Sequence, residues 1–145
     1  NGIALGRKLD GRDSRVYCRL GDGELQEGQI WEAAMTSSHY RLDNLCVIID
    51  NNGLQIDGFC DDVMKVEPID DKWKGFGWNV IDIDGHAMSQ VTDALNRAEN
   101  EKGRPTVIVA RTVKGKGVSF FEGRAEYHGM APTSDELARA LKEIG

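Results

Sequence analysis

Apolar runs of strand length recur along the chain and are separated by segments with helical spacing. Four runs are rich in β-branched residues, and two of them, LCVII at 45–49 and VIVA at 107–110, are continuous rather than alternating. Continuous apolar runs are typical of central strands that are covered on both faces of a sheet. The predicted strands are residues 15–20, 45–50, 79–83 and 106–111.

Three segments between and after these runs have the periodicity of amphipathic helices. The segments 29–40 and 88–101 each place four small or apolar residues on one face. A third helix is predicted at 134–144, with Thr133 or Ser134 as its N-cap and acidic residues in its first turn. The one-face residues of the first two helices are Ile30, Ala33, Ala34 and Ser37, and Val91, Ala94, Leu95 and Ala98.

The alternation of strands and helices predicts a single α/β domain over residues 1–145, built as a doubly wound parallel sheet flanked by helices. In such a sheet the ligand site lies at the carboxyl ends of the strands, so we expect the chemistry in the loops that follow them. Residues 53–68 are the longest stretch without an assigned element. Residues 1–9 lack a Met and have the pattern of the later turns of a helix, so we expect that an upstream segment is missing.

Composition narrows the class of protein. A net charge of -6 argues against nucleic-acid binding, and no apolar stretch approaches the roughly 20 residues of a membrane-spanning helix. Three cysteines without CxxC spacing argue against a disulfide framework or a zinc site, and Cys18 and Cys46 lie inside apolar runs. We therefore expect reduced, buried thiols and a cytoplasmic protein.

The loop after the first strand contains two glycines around one carboxylate, Gly21-Asp22-Gly23, directly before a helix. Glycines let backbone N–H groups approach an anion closely, and a helix N-terminus adds its dipole and free amides. Asp22 can offer a hard oxygen to a divalent cation. Taken alone, this tripeptide is a weak signal, and a plain tight turn is the better interpretation of it.

Asn52 follows the second strand, thirty positions after Asp22. One strand–helix–strand unit separates the two residues, so both are expected at the same edge of the sheet. Mg²⁺ is usually bound by one or two carboxylates together with phosphate oxygens and water. The pair therefore suits magnesium bound to a diphosphate.

These residues resemble a known motif. Gly21-Asp22-Gly23, followed after 27 residues by Asn51-Asn52, is similar to the thiamine diphosphate motif of thiamine-dependent enzymes. The longer string GDGELQEGQIWEAAM at 21–35 resembles transketolase in particular, and the resemblance continues through KGKG at 114–117 and YHG at 127–129. It implies the thiamine diphosphate-binding fold, of which this chain is part of the diphosphate-binding domain.

The resemblance implies a role for each matching position in cofactor binding. Asp22 and the Asn52 side chain would bind Mg²⁺, and the Leu54 carbonyl would be the third protein ligand. Gly21 and Gly23 would line the diphosphate of thiamine diphosphate.

Four further positions acquire roles from the same resemblance. Ile56 would pack near the rings of the cofactor, and Glu27 would join a carboxylate network between two active sites at a subunit interface. Lys114 and His128 would face the cofactor and the substrate, with His128 within reach of the reacting centre. We therefore predict His128 and Glu27 as catalytic, and Ile56, Lys114 and His128 as cofactor-binding.

Each of these roles has a simpler alternative. Glu27 could be a solvated acid that favours the helix dipole, and Lys114 and Lys116 could form a solvated turn. His128 could be a structural imidazole, although its polar loop favours hydrogen bonding or proton transfer near neutral pH. His39 and His86 are interpreted as structural.

One motif suggests a different class of enzyme. The sequence VIDIDG at 80–85 resembles the Asp-x-Asp-Gly loop of aspartate-nucleophile phosphatases, in which Asp82 would attack phosphorus and Asp84 would act as acid and base. Those enzymes place the loop near their start and continue it with Thr or Val, whereas here the next residue is His86 and the strand before the loop is the third.

The resemblance covers only part of a transketolase. It implies sugar phosphate substrates and a partner, either a pyrimidine-binding domain or a C-terminal transketolase subunit, in a homo- or hetero-oligomer. The chain would then be inactive alone and active with its partner in transferring a two-carbon ketol unit. The alternative is a non-catalytic module for cofactor binding or assembly. The donor and acceptor sugars do not follow from the sequence.

Overall fold

A computed structural model describes all of residues 1–145 and contains a four-stranded sheet in the order β1-β2-β6-β5. All three strand pairs are parallel. The strands of this sheet are β1 (Val16–Gly21), β2 (Leu45–Asn51), β5 (Asn79–Asp84) and β6 (Thr106–Arg111). A two-residue pair, β3 (Leu54–Gln55) and β4 (Gly58–Phe59), forms a small antiparallel hairpin directly after β2.

Six helices surround the sheet. Helices α1, α2 and α4 contribute to a core on one face, and α5 packs on the other. Short 3₁₀ turns at Gly23–Gln26 and Ala125–His128 complete the regular structure. The helices are α1 (Gly2–Leu9), α2 (Gly28–His39), α3 (Cys60–Val63), α4 (Ile69–Gly75), α5 (Met88–Asn100) and α6 (Ser134–Ile144).

The two central strands have continuous apolar runs, at 45–49 and 107–110, because they contribute to both cores. On β2, Val47 and Ile49 belong to the larger core while Cys46 belongs to the smaller one, and Val109 and Ile108 divide in the same way on β6. The prediction of a doubly wound parallel sheet is confirmed. Because β1, β2 and β6 run in register, their carboxyl ends meet at one edge.

The predicted strands and helices are all present, with boundaries that differ by at most one residue. Thr133 is the N-cap of α6, and its side chain forms a capping box with Glu136. Helix α4 was not predicted, because its seven residues are too few to show a clear period. The unassigned stretch 53–68 contains the β3–β4 hairpin and the single turn α3.

The expectation of buried thiols is wrong for Cys18. Cys46 and Cys60 are buried, but Cys18 is exposed, as are its neighbours Tyr17 and Arg19. Strand β1 lies at the edge of the sheet, and Leu20 is its one buried residue. All three cysteines are free. None of the helices is both long and apolar enough to span a membrane.

Candidate functional site

Asp22 is the centre of the polar groups at the carboxyl edge of the sheet. Its backbone N–H donates to the Asp50 carbonyl at the end of the neighbouring strand, at 3.2 Å. Its carboxylate oxygen Oδ1 accepts the Gly23 N–H at 2.8 Å, and Oδ2 accepts the Gly53 N–H at 2.6 Å. The buried Cys60 thiol also donates to Oδ1, with an S···O distance of 3.4 Å. The carboxylate therefore joins the first loop to the second.

The electrostatic environment of Asp22 lacks a positive charge. Asp22 is only 1% exposed and is the one charged residue among the buried residues. No Lys, Arg or His nitrogen lies within the 4.0 Å of an ion pair with it. Burial raises the pKa of Asp22 above its ordinary value, and the charge of nearby Asp50 acts in the same direction. A cation at this edge would offset both effects.

Asn52 is brought to the same edge. Its amide oxygen Oδ1 accepts the Leu54 N–H at 2.9 Å, which shapes the entry into the β3–β4 hairpin. An amide oxygen has two lone pairs, so one acceptor position on Asn52 remains. The next loop residue, Gly53, donates to Asp22, so the two predicted ligands lie on directly bonded loops.

These donors fit a magnesium ion that also binds a diphosphate. No group of three or more His, Cys, Asp and Glu side chains is placed to hold a metal, so an all-protein cage of such ligands is absent. One buried carboxylate, one amide oxygen and a backbone carbonyl are instead the kind of partial set that phosphate oxygens and water complete around Mg²⁺. The uncompensated charge of Asp22 agrees with that interpretation.

The two glycines that flank Asp22 have different surroundings. A Cβ on Gly23 would lie 2.9 Å from the Gln55 Cβ, so a side chain there would push the β3–β4 hairpin away. The Gly21 N–H donates to the Glu24 carboxylate at 2.6 Å. A negatively charged oxygen therefore already occupies an amide that we predicted for the diphosphate.

The hairpin and the 3₁₀ turn that ends at His128 pack against each other. His128 is exposed, and Ile56, at the hairpin turn, is 76% exposed. An apolar side chain and an imidazole are thus presented on neighbouring segments beside the Asn52 loop. Contact of either with the rings of a cofactor stays a prediction.

Lys114 and Glu27 have no partner within the chain. Lys114 is half-buried and forms neither an ion pair nor a side-chain hydrogen bond, whereas Lys116 pairs with Glu122 at 3.5 Å. Glu27 is exposed at the N-terminus of α2, and its side chain makes no capping hydrogen bond. Lys114 is free to meet an anion, and Glu27 is free to meet another chain.

Sequence reasoning missed two residues that contact the site. Cys60 lies 38 positions from Asp22 and reaches it only because the hairpin folds back over the first loop. Glu24, in the 3₁₀ turn, accepts the N–H of Gly21, the last residue of β1. The spacing of an acid three positions after a glycine could have indicated the bond between Glu24 and Gly21. No local pattern indicates the contact of Cys60 with Asp22.

The carboxylates of the phosphatase-like loop are engaged elsewhere. Asp82 pairs with Arg111 at 2.8 Å, and Asp84 accepts the His86 N–H at 2.9 Å within its own turn. Neither carboxylate is arranged as a nucleophile beside a free acid. The geometry therefore does not favour the phosphatase alternative.

The fold and the site together define a parallel α/β domain whose strand ends carry a Gly-Asp-Gly turn with one buried carboxylate. The chain belongs to the transketolase family. Residues 7–145 match the family described as transketolase, thiamine diphosphate binding domain.

Relatives and solved structures agree with this assignment. The chain is 42% identical over 143 residues to the 6-deoxy-6-sulfo-D-fructose transketolase subunit SqwG of Clostridium sp. (strain MSTE9), covering 99% of this chain and 52% of the relative. It is 43% identical to one of the subunits of the apulose-4-phosphate transketolase of Actinobacillus succinogenes, covering 99% and 51%. The transketolase structure from Campylobacter jejuni superposes with a TM-score of 0.89 at 30% identity, over 98% of this chain and 23% of that one. The chain thus spans about half the length of the curated subunits it matches.

Proposed function

We propose that this chain is the diphosphate-binding part of a transketolase, which holds thiamine diphosphate through Mg²⁺ and acts together with a pyrimidine-binding partner. The observation that carries the proposal is the buried Asp22 carboxylate, which has no cationic partner and is bonded to the Asn52 loop. The names of the two relatives describe subunits, which supports a two-part enzyme.

In this proposal the site residues divide the work of holding the cofactor. Asp22, the Asn52 side chain and the Leu54 carbonyl bind Mg²⁺, and Gly21 and Gly23 line the diphosphate, while the Gly23 N–H continues to donate to the Asp22 carboxylate. The Gly21 amide becomes available when Glu24 swings away, because that carboxylate now accepts its N–H.

Four further residues have proposed roles around the cofactor, the substrate and the subunit interface. The Lys114 ammonium offsets phosphate charge, because no carboxylate of the chain pairs with it. Ile56 packs against the rings of the cofactor, and His128 donates or accepts a hydrogen bond at the substrate. Glu27 contacts the carboxylate network of a neighbouring subunit.

Thiamine diphosphate, when bound, supplies the nucleophilic carbon and the electron sink that breaking a carbon–carbon bond beside a ketone requires. We propose a two-carbon ketol transfer from a ketose to an aldose phosphate. The two relatives are named for a sulfonated and a phosphorylated sugar, which supports an anionic sugar as substrate. The three free cysteines favour a reducing compartment, which we take to be the cytoplasm.

Calorimetric titration of thiamine diphosphate into the assembly of this chain and its partner tests the proposal. We expect binding with Mg²⁺ and none after EDTA. Asp22→Asn removes the proposed ligand charge and should weaken binding at least about tenfold, since even residues behind metal ligands contribute about 10–100-fold to metal affinity.

Asp57→Asn is the matched control, because Asp57 is exposed in the nearby hairpin turn and has no ion pair or side-chain hydrogen bond. It should bind like the unaltered chain. Binding that is independent of Mg²⁺, or equal in Asp22→Asn with the fold intact, would remove the metal assignment. Binding of the cofactor by an assembly that transfers no ketol unit would instead indicate the non-catalytic module.

A further inference from the structure

The turn at 84–86, between β5 and α5, is bonded to the chain that leaves β6. The Gly85 N–H donates to the Arg111 carbonyl at 2.8 Å. Two residues further on, the Val113 N–H donates to Nε2 of the His86 imidazole, also at 2.8 Å. A side chain that the sequence indicated to be structural thus holds a specific amide of a different loop.

The turn has little freedom to move relative to that segment. The Asp84 carboxylate accepts the His86 N–H at 2.9 Å, which fixes the backbone of the imidazole-bearing residue. A Cβ on Gly85 would clash with the Thr112 Cγ2 and lie 3.1 Å from the Ala110 Cβ. The absence of a side chain at Gly85 therefore lets the turn rest directly on the end of β6.

The opposite side of the same segment is bonded to β2. The Thr112 N–H donates to the Asn51 carbonyl at 3.1 Å, and the Thr112 hydroxyl donates to the Asp50 carboxylate. Residues 111–113 are therefore held between the loop that carries Asn52 and the turn that carries His86. Lys114 is the first residue beyond these anchors.

Lys114 itself has no side-chain partner that could orient it. Its neighbour Lys116 is held by Glu122, and the Glu122 carboxylate also accepts the Gly117 N–H at 3.0 Å. The direction in which Lys114 leaves the sheet is consequently set by the backbone of residues 113–114. The Val113 carbonyl accepts the Lys116 N–H at 3.2 Å and the Lys114 carbonyl accepts the Gly123 N–H at 2.9 Å, so both carbonyls are held from the C-terminal side. The Val113 N–H has one bond, and His86 provides it.

We propose that His86 is a positioning residue for Lys114. Its imidazole, neutral with the proton on Nδ1, accepts the Val113 N–H and thereby directs the Lys114 ammonium toward the diphosphate of the cofactor. This inference rests on the proposed function, because it assigns the anion that Lys114 meets. In this proposal the motif Asp84-Gly85-His86 supports the cofactor site by holding the backbone at Val113, and it takes no part in the chemical reaction.

The test compares three variants in the assembly with its partner. His86→Ala removes the acceptor. His86→Gln keeps one, because a glutamine Oε1 lies at about the same reach as Nε2. His39→Ala is the matched control, since His39 is also exposed but lies at the end of α2, where its ring packs edge-on against the Tyr40 ring.

Thiamine diphosphate affinity with Mg²⁺ is the first readout. We expect His86→Ala to weaken binding about two- to tenfold, as the loss of one hydrogen bond implies, while His86→Gln and His39→Ala stay close to the unaltered chain. In Lys114→Ala, adding His86→Ala should change affinity little further, because the residue that His86 directs is gone.

Hydrogen exchange of residues 112–116 without cofactor is the second readout. Exchange of these amides should be faster in His86→Ala but not in His86→Gln or His39→Ala. That result would link the loss of cofactor affinity to the Val113 amide. Unchanged affinity or unchanged exchange in His86→Ala, or full additivity with Lys114→Ala, would overturn the inference and leave the cofactor assignment intact. If the unaltered assembly binds no cofactor, the proposed function itself is wrong and the inference falls with it.

Discussion

Asp22 and Cys60 are buried together, and their contact shows how strongly burial changes the chemistry of a single side chain. Burial, together with the nearby Asp22 charge, raises the pKa of the Cys60 thiol to about 12. Burial likewise raises the pKa of Cys46 to about 11. Both thiols therefore stay protonated at neutral pH, and Cys60 can act as a hydrogen-bond donor to the carboxylate.

Thiol reactivity should differ sharply among the three cysteines. The thiolate is the reactive form, so the exposed Cys18 should be alkylated by iodoacetamide at pH 8 while Cys46 and Cys60 remain unmodified in the folded chain. Peptide mass spectrometry after a timed reaction measures this. Complete reaction of all three in denaturant is the control, and labelling of Cys60 at the rate of Cys18 would contradict the structure.

At the scale of elements, the site depends on how closely the β3–β4 hairpin approaches the turn after β1. Gly23 permits that approach, since its Cβ would meet Gln55 at 2.9 Å. Gly28, at the start of α2, has open space around the same position and no left-handed backbone angle. Packing therefore requires a glycine at position 23, whereas neither packing nor backbone conformation requires one at position 28.

Substituting each glycine by alanine should therefore change the free energy of unfolding in opposite directions. Gly23→Ala should lower the free energy of unfolding by about 1–3 kcal/mol, because the hairpin must move to admit the methyl group. Gly28→Ala should raise it by roughly 0.4–1 kcal/mol, because alanine restricts the unfolded chain and suits a helix. Urea unfolding measures both. Equal effects of the same sign would mean that the hairpin does not touch the turn.

A second contact between elements lies at the opposite edge of the sheet. Asp43 accepts hydrogen bonds from the Lys8 ammonium at 2.8 Å and the Gly103 N–H at 2.9 Å, which ties α1 and the α5–β6 loop to the start of β2. Burial alone would raise the pKa of Asp43, but these bonds more than offset it and hold the pKa below its ordinary value. Asp43 therefore stabilises the fold when it is ionised.

The pH dependence of stability follows from the direction of that shift. The contribution of Asp43 is present above the unfolded-state pKa near 3.8 and is lost as the pH falls through the lower folded-state value. Asp43→Asn should cost about 1 kcal/mol at neutral pH and progressively less in acid. Asp10→Asn is the control, because Asp10 only pairs with exposed Arg12 at 3.6 Å. A stability loss in Asp43→Asn that grows as the pH falls would mean that folding does not lower the pKa of Asp43.

At the scale of the whole molecule, the proposed function makes this chain one side of a cofactor pocket that a partner completes. Ile56, Lys114, His128 and Glu27 all lie near the carboxyl edge without a bonded side-chain partner in the chain. The chain matches about half of the length of each of the two curated subunit relatives. We expect the partner to tighten cofactor binding by supplying those contacts.

Thermal unfolding provides a measurement of that coupling. With partner and Mg²⁺ present, thiamine diphosphate at about 100 times its dissociation constant should raise the melting temperature by roughly 5–10 °C. The chain without partner should shift much less at the same concentrations. An equal shift in both would mean that this chain alone provides the whole binding energy, and the two-part site would be wrong.

Much of the fold follows from local sequence alone. The continuous apolar runs of β2 and β6, the helical periods of α2 and α5, and the Thr133 cap each depend on residues close in the chain, so the pattern predicts them directly. The parallel sheet then places Asp22 and Asn52 at one edge, because successive strands of this kind end on the same side.

Tertiary structure decided what depends on distant residues or on exposure. Cys18 lies in an apolar run but is exposed, because strand order placed β1 at the edge. Cys60 reaches Asp22, and His86 reaches Val113, through contacts that span 38 and 27 residues. No local period encodes such contacts, since they arise only when the loops of separate strands fold against one another. The sequence by itself therefore determined the sheet and the two loops of the site, and only packing decided which side chains hold those loops in place.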